Sequence, residues 1–199
     1  MKKAVLYIHG KGGTAAEAEH YRPLFPDCEV IGFDYMSQTP WEAKAEFPAF
    51  FDEKCAGYDA VTLIANSIGA FFAMSSLGGR NIKNALLISP IVDMQRLITD
   101  MMGWANVSED ELREKKEIPT DFGETLSWEY LCYVREHPIS WRIPTEILYG
   151  GRDNLTSRRT VEGFAAAHGA GLRVMENGEH WFHTPEQMEF LDDWVKSVV

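Results

Sequence analysis

Cysteines, positive charges and long hydrophobic segments are all scarce in this 199-residue chain, and each scarcity excludes a class of protein. The three cysteines, Cys28, Cys55 and Cys132, are odd in number and widely spaced, so they form neither a disulfide framework nor a metal-binding pattern. The 30 acidic residues outnumber the 19 lysines and arginines and give a net charge of −11, which argues against nucleic acid or an anionic membrane surface as a partner.

The scarcity of long apolar runs also argues against membrane insertion and secretion. No run is long enough to span a bilayer. The apolar run that follows the basic residues 1–3 stops at His9, which is too short for the core of a signal peptide. We therefore expect a cytoplasmic protein with a single domain over residues 1–199, a length that can bury a substantial core.

The clearest chemical pattern lies in residues 61–69, where an apolar, β-branched run ends in small residues around Ser67. Residues 70–77 continue with apolar side chains at helical spacing, which predicts a strand that turns sharply into a helix at the serine. Such a strained turn needs small residues two positions before and two positions after the serine, and here these are Ala65 and Gly69. The usual pattern is Gly-x-Ser-x-Gly, so Ala65 departs from it by one methyl group. The pattern fits a nucleophilic serine, and it fits equally a serine that occurs by chance between small residues at a strand–helix turn.

Strand-like runs alternate with helical patterns along most of the chain, which predicts an α/β fold with three layers and a doubly wound, mainly parallel sheet of six strands. In such a sheet, ligands bind beyond the carboxyl ends of the strands. Four loops with chemically useful side chains each follow a predicted strand, so we expect them at one edge of the sheet. They contain residues 9–13, Ser67, Asp153 and His180.

Residues 91–141 differ from the rest because strand-like runs are absent and helical signals replace them. The segment predicts a helical insertion of about 50 residues between two strands, which is well beyond the length of an ordinary connection.

At this point the chain resembles the α/β-hydrolase family over nearly its whole length. The order Ser67, Asp153, His180 is similar to the family's order of nucleophile, acid and base. The run Tyr-Gly-Gly-Arg-Asp at 149–153 resembles the family's acid turn, Gly-Glu-His at 178–180 resembles its histidine loop, and His-Gly-Lys-Gly-Gly at 9–13 resembles its oxyanion loop. Six strands rather than eight would make this a small member that lacks the first hairpin.

The resemblance implies a role for each of these residues. Ser67 would be the nucleophile, His180 the base that takes its proton, and Asp153 the group that orients the imidazole. The backbone N–H groups of Ile68 and Lys11 would face the negative oxygen of the tetrahedral intermediate, with the glycine after Lys11 as the alternative. No cofactor and no metal are implied.

The resemblance further implies that the insertion, at about residues 91–141, forms a cap over the active site. Packing explains most methionine and tryptophan side chains at helical spacing. The predicted substrate is a small, mainly apolar carboxylic ester, and carboxylesterase activity is the default because thioester, amide and carbon–carbon cleavage use the same groups. The best candidates for contacts with the substrate are Met101, Met102, Trp104, Trp128 and Tyr130.

Several residues have alternatives that the pattern leaves open. Asp93 also follows a strand and is an alternative acid, although its surroundings lack the glycine turn that favours Asp153. His183 is an alternative base, and it is more typical of a structural residue because it precedes a helix cap. His9 is expected to organise its loop by a backbone hydrogen bond. Asn66 either donates a hydrogen bond beside the nucleophile or is merely tolerated there.

Two other functions compete with hydrolysis. Residues 10–15 fit the dinucleotide pattern Gly-x-Gly-x-x-Ala, and Asp34 ends the next strand at a suitable distance for a ribose contact, which favours a nicotinamide-dependent oxidoreductase. That interpretation leaves Ser67, Asp153 and His180 unexplained. The other alternative is a hydrolase-like scaffold that binds a ligand without catalysis.

Overall fold

Six parallel strands form the centre of the computed structural model, which describes residues 1–199. The elements in chain order are β1 (Lys3–Ile8), a 3₁₀ helix (Ala15–Leu24), β2 (Glu29–Phe33), α1 (Pro40–Lys54), β3 (Ala60–Asn66), α2 (Ser67–Ser76), β4 (Ile82–Ile88), α3 (Met94–Trp104), α4 (Glu109–Lys115), β5 (Glu117–Pro119), β6 (Thr125–Ser127), α5 (Trp128–Glu136), β7 (Thr145–Gly150), α6 (Arg158–His168), β8 (Gly171–Met175) and α7 (Pro185–Val198).

The main sheet has the strand order β2-β1-β3-β4-β7-β8, and every neighbouring pair is parallel. This architecture confirms the predicted doubly wound α/β fold. The chain moves outward from β1 to β2 and then returns to β3 on the other side of β1, so the winding direction reverses between β1 and β3. Ligand sites form at such a reversal, outside the carboxyl ends of the strands. Ile8 is paired with Ala65, so the loop after β1 starts beside Ser67.

Both faces of the sheet are covered, which explains why its strands are apolar without interruption. Alternate residues of β1 illustrate this, because Val5 and Tyr7 belong to a buried cluster that includes Trp194 of α7. Leu6 and Ile8 point to the opposite face and are also buried. The sheet between two helical layers, in residues Met1–Val92 and Ser140–Val199, forms one of two compact units of the chain.

The second unit is Asp93–Ile139 and holds α3, α4, α5 and a two-stranded hairpin of β5 and β6. The sequence predicts a helical insertion at about 91–141, and the structure adds a short antiparallel hairpin to the three helices of this segment. Its strands have three residues each, which is too short for an alternating apolar pattern to be visible. Thr120 closes the connecting turn, since its hydroxyl donates to the Glu124 carbonyl at 2.7 Å.

Residues 15–24 form a 3₁₀ helix rather than an α-helix. The buried residues Ala18 and Tyr21 are three positions apart, and the half-buried Leu24 follows at the same interval. A period of three residues matches the 3₁₀ turn rather than the 3.6-residue α-helical turn, so packing selects the tighter helix. None of the helices in the structure has the length and apolar character that crossing a membrane requires.

Candidate active site

Ser67 occupies a strained turn between β3 and α2. Its backbone φ of 50° lies in the left-handed region, which a residue other than glycine adopts only when its surroundings enforce it. Two glycines make room for this turn. A Cβ atom on Gly10 would lie 3.2 Å from the Ser67 Cβ, and one on Gly69 would lie 2.2 Å from the His9 carbonyl oxygen. The Ile91 N–H donates to the Ser67 carbonyl at 3.2 Å and holds the turn from the other side.

The close approach at Gly69 gives a stability prediction. Gly69→Ala is expected to lower the free energy of unfolding by about 1–3 kcal/mol, because the new methyl group displaces the backbone of the loop after β1. Gly163, in α6, is the matched control, because nothing lies within 4 Å of a Cβ placed there. Gly163→Ala is expected to raise the free energy of unfolding by roughly 0.5–1 kcal/mol through helix propensity. Urea unfolding of both variants measures the two values, and equal effects would contradict the steric argument.

Three side chains from separate loops form a continuous hydrogen-bonded chain at the carboxyl edge of the sheet. The Ser67 Oγ lies 2.8 Å from the His180 Nε2, and the His180 Nδ1 lies 2.6 Å from an Asp153 Oδ2 atom. A carboxylate only accepts hydrogen bonds, so the proton of a neutral imidazole is on Nδ1. The Nε2 lone pair is then directed at the serine hydroxyl and can accept its proton. The structure thus brings together all three residues that the sequence predicts.

Asp153 is held in one orientation by its own turn. Its side chain is fully buried, and its Oδ1 accepts from the N–H groups of Leu155 and Thr156 at 2.8 and 3.0 Å. The Tyr149 hydroxyl donates to the Thr156 carbonyl at 2.7 Å and so supports the same turn from below. With Oδ1 engaged twice, Oδ2 is the oxygen that faces His180.

The loops that carry Asp153 and His180 pack directly on each other. A Cβ atom on Gly150 would lie 2.3 Å from the Glu179 carbonyl oxygen, and the Arg152 N–H donates to the Gly178 carbonyl at 2.8 Å. Only glycine permits this approach of two backbones. The Gly-Gly pair before Asp153 therefore brings the acid within hydrogen-bond reach of the histidine.

The alternative acid and base have other partners. Asp93 lies at the N-cap of α3, where its carboxylate accepts from the Arg96 N–H at 2.9 Å. The His183 Nδ1 donates to the Trp181 carbonyl at 2.7 Å, and its ring stacks on the Trp181 ring with centroids 4.3 Å apart. In the structure, Asp93 therefore caps α3 and His183 contacts its own loop, and neither forms part of the hydrogen-bonded chain to Ser67.

His9 has the contacts of a residue that organises its loop. It is almost fully buried, its Nδ1 donates to the Gly10 carbonyl at 2.7 Å, and its ring stacks on that of Tyr35 with centroids 4.4 Å apart. The Tyr35 hydroxyl donates back to the His9 carbonyl at 3.1 Å. These contacts fix the start of the loop beside Ser67.

The two candidate oxyanion donors lie in the loops next to Ser67. Ile68 is the second residue of α2, and an N–H in the first helical turn has no acceptor within its own helix. Lys11 lies in the turn after β1, which a hydrogen bond from the Gly13 N–H to the Gly10 carbonyl closes at 3.1 Å. Gly12 follows Lys11 with a φ of 76°, in the left-handed region. The role of both N–H groups stays a prediction.

The predicted substrate contacts all lie in the second unit. Met102 is buried, Trp104 is exposed and meets the edge of Phe122 with ring centroids 5.9 Å apart, and the other three are partly buried. Their role also stays a prediction. The residues are Met101, Met102 and Trp104 of α3, and Trp128 and Tyr130 of α5.

The features that suggest a dinucleotide site have structural explanations. The Asp34 carboxylate accepts from the Ala15 N–H at 2.5 Å, so it closes the loop. The glycine-rich turn leads into a 3₁₀ helix, and a Cβ atom on Gly13 would lie 2.6 Å from a Glu17 oxygen, so a carboxylate packs against this turn and would repel a phosphate group there. No group of three or more His, Cys, Asp or Glu side chains is arranged to hold a metal ion.

The sequence analysis names Asn66 beside the nucleophile, but it misses Tyr7 and Glu17, to which Asn66 is linked. The Asn66 amide donates to the Tyr7 hydroxyl at 2.9 Å, and that hydroxyl donates in turn to the Glu17 carboxylate. A tyrosine within a buried strand is a usable signal, because a buried phenol needs a hydrogen-bond partner. The partner lies ten residues further along the chain and cannot be identified from the sequence pattern.

Comparisons with known proteins concern the fold of the chain. No protein-family model matches the chain. A Mycoplasma genitalium protein provisionally named esterase/lipase 3 is 27% identical over 103 residues, which are 45% of this chain and only 37% of that relative.

Three solved structures are similar over almost the entire chain. Est1E from Butyrivibrio proteoclasticus has a TM-score of 0.77 at 16% identity and covers 98% of this chain and 86% of its own. Alpha/beta hydrolase domain-containing protein 10 from mouse has a TM-score of 0.74 at 13% identity, with coverages of 98% and 88%. The Pyrococcus furiosus esterase PF2001 has a TM-score of 0.62 at 20% identity, with coverages of 99% and 80%. The chain therefore has the α/β-hydrolase fold, as its sequence resemblance predicts.

Proposed function

We propose that this protein is a serine hydrolase that cleaves a small, mainly apolar carboxylic ester through an acyl-enzyme intermediate. The observation that carries the proposal is the unbroken chain of hydrogen bonds from the Asp153 carboxylate through the His180 imidazole to the Ser67 hydroxyl. A fold alone does not select a reaction, but a strained serine aligned with an oriented imidazole matches the requirements of nucleophilic acyl transfer. The names of an esterase/lipase and of an esterase among similar proteins support an ester as the substrate.

The first half of the reaction forms the acyl-enzyme. The Ser67 oxygen attacks the carbonyl carbon of the ester while its proton passes to the His180 Nε2, and the carbonyl electrons move to the oxygen. Backbone N–H groups of Ile68 and Lys11 donate to that oxyanion, and one such donor typically contributes roughly 3 kcal/mol to the stability of the transition state. When the carbonyl re-forms, the bond to the alcohol breaks, and the imidazolium gives its proton to the departing oxygen.

The second half repeats these steps with water as the nucleophile. His180 takes a proton from water as the water oxygen attacks the acyl carbon, and it then protonates Ser67 as the acid leaves. Asp153 stabilises the imidazolium in both halves and keeps Nε2 directed at the reacting oxygen. No step needs a group beyond the chain, the ester and water.

A panel of p-nitrophenyl esters with acyl chains of graded length tests the proposal, together with an aryl ester. A ferulate ester suits the aryl arm, since one Est1E structure holds ferulic acid. We expect hydrolysis that is fastest for short acyl chains or small aryl groups, and a fluorophosphonate adduct that mass spectrometry locates on Ser67. If the folded protein hydrolyses no ester and takes no label, the noncatalytic scaffold is favoured. A thermal shift with a nicotinamide dinucleotide tests the oxidoreductase alternative, and we expect no shift.

A further inference from the structure

Asn66 lies at the N-cap of α2 but does not cap it. Its backbone has the extended conformation of an N-cap residue, with φ of −105° and ψ of 137°, and asparagine is among the best capping residues. A capping oxygen would accept from the N–H of Ile68 or Gly69, the second and third residues of the helix. The structure shows no such bond. Instead, the Asn66 oxygen is buried and accepts no hydrogen bond at all.

The orientation of the Asn66 amide follows from its partners. The Glu17 carboxylate accepts from the Thr14 N–H at 3.1 Å through one oxygen and from the Tyr7 hydroxyl through the other. Because a carboxylate only accepts, the Tyr7 proton is committed to Glu17, and the Tyr7 oxygen can only accept from Asn66. The Asn66 NH₂ group must therefore face Tyr7, at 2.9 Å, with its oxygen turned away. Burial raises the pKa of Tyr7, so its hydroxyl keeps the proton that this arrangement needs.

We propose that Tyr7 and Glu17 are positioning residues that prevent Asn66 from capping its own helix and thereby leave the Ile68 N–H open to the substrate oxyanion. This inference rests on the proposed hydrolase function. The same N–H cannot donate to a helix cap and to an oxyanion at once. The Asn66 oxygen therefore stays without a hydrogen bond while the Ile68 N–H stays available to the oxyanion. Without the Tyr7 hydroxyl, the Asn66 oxygen would gain a hydrogen bond by rotating onto the first turn of α2, and the protein would inhibit itself.

The first test removes the hydroxyl. Tyr7→Phe is expected to lower kcat for ester hydrolysis by about 5- to 30-fold, with KM changed less than about twofold. This factor is the ratio of capped to uncapped molecules that the stability of a typical helix N-cap produces. Tyr21→Phe is the matched control, because its ring lies 5.2 Å from that of Tyr7 and it has no bond to Asn66. The control is expected to keep wild-type kcat. Equal kcat in wild type and Tyr7→Phe would overturn the proposal.

A double-mutant cycle separates this role from a structural one. In an Asn66→Ala background there is no oxygen to cap the helix, so Tyr7→Phe is expected to change kcat by less than about threefold. An equal loss in both backgrounds would mean that Tyr7 acts only on packing and would overturn the proposal. Should Tyr7→Phe fail to fold, Asn66→Asp serves in its place. Its carboxylate cannot donate to Tyr7 and is expected to cap α2, with a fall in kcat of at least about 100-fold.

Amide hydrogen exchange gives a measurement that does not depend on hydrolysis. In Tyr7→Phe, exchange at the Ile68 N–H is expected to slow by about 5- to 30-fold relative to wild type, because the Asn66 oxygen then protects that group. Unchanged exchange at Ile68, including slowing at Gly69 alone, would overturn the proposal. If wild type cleaves no ester, the proposed function fails, while this exchange measurement still tests whether Tyr7 restrains Asn66.

Discussion

Ser67→Ala is expected to lower kcat for p-nitrophenyl ester hydrolysis by about 10⁴- to 10⁶-fold while leaving the fold intact. The serine oxygen is the atom that forms the acyl bond, so its removal eliminates the covalent route rather than weakening one contact. Alanine is smaller than serine and tolerates the same backbone, so no new clash arises in the turn where φ is 50°. The fluorophosphonate adduct should disappear together with the activity, and the melting temperature should change little.

Ser89 provides a matched control within the same sheet. It also follows a strand of the sheet, β4, and its φ of 42° is left-handed as well. Its hydroxyl is buried and has no hydrogen-bond partner, so no imidazole activates it. Ser89→Ala is therefore expected to retain the label and wild-type kcat. Activity that persisted in Ser67→Ala but fell in Ser89→Ala would contradict the assignment of the nucleophile.

The sequence pattern predicts those parts of the fold that depend on local side-chain spacing. Uninterrupted apolar runs predict the buried parallel strands, and capping residues predict where helices begin. Examples are Thr39 before α1 and Thr184 before α7. The β5–β6 hairpin escapes prediction because three-residue strands have no measurable period. The 3₁₀ helix escapes because packing around Tyr21, rather than local preference, selects its pitch.

The sequence predicts a site residue only where the reaction requires a particular residue type and that residue directly follows a predicted strand. Ser67, Asp153 and His180 satisfy that condition, and the local Gly-Gly pair at 150–151 favours Asp153 over Asp93, although the hydrogen bonds that each acid forms are visible only in the structure. The contact of Asn66 with Tyr7 is still harder to predict from the sequence. It depends on register, because Tyr7 pairs with Ile64 across the sheet and Asn66 lies two residues further on the same face.

Asp153→Asn is expected to lower kcat by about 10⁴-fold with little change in KM, although the substitution replaces one oxygen by one nitrogen. The N–H groups of Leu155 and Thr156 both donate to Oδ1, so the asparagine oxygen must occupy that position. The NH₂ group then replaces Oδ2, 2.6 Å from the His180 Nδ1. An NH₂ group donates, so Nδ1 has to accept and the ring proton moves to Nε2. That nitrogen can no longer take the proton of Ser67.

Two measurements separate this tautomer effect from a loss of stability. Nitrogen NMR of His180 should show the proton on Nδ1 in the wild type and on Nε2 in Asp153→Asn, while both proteins melt cooperatively. Asp93→Asn is the matched control, because asparagine caps a helix as well as aspartate does and α3 should keep its N-cap. We expect that control to retain wild-type kcat. A larger loss of kcat in Asp93→Asn than in Asp153→Asn would reverse the assignment of the acid. It would also contradict the argument that the fully buried Asp153 carboxylate directs the His180 Nε2 at the nucleophile.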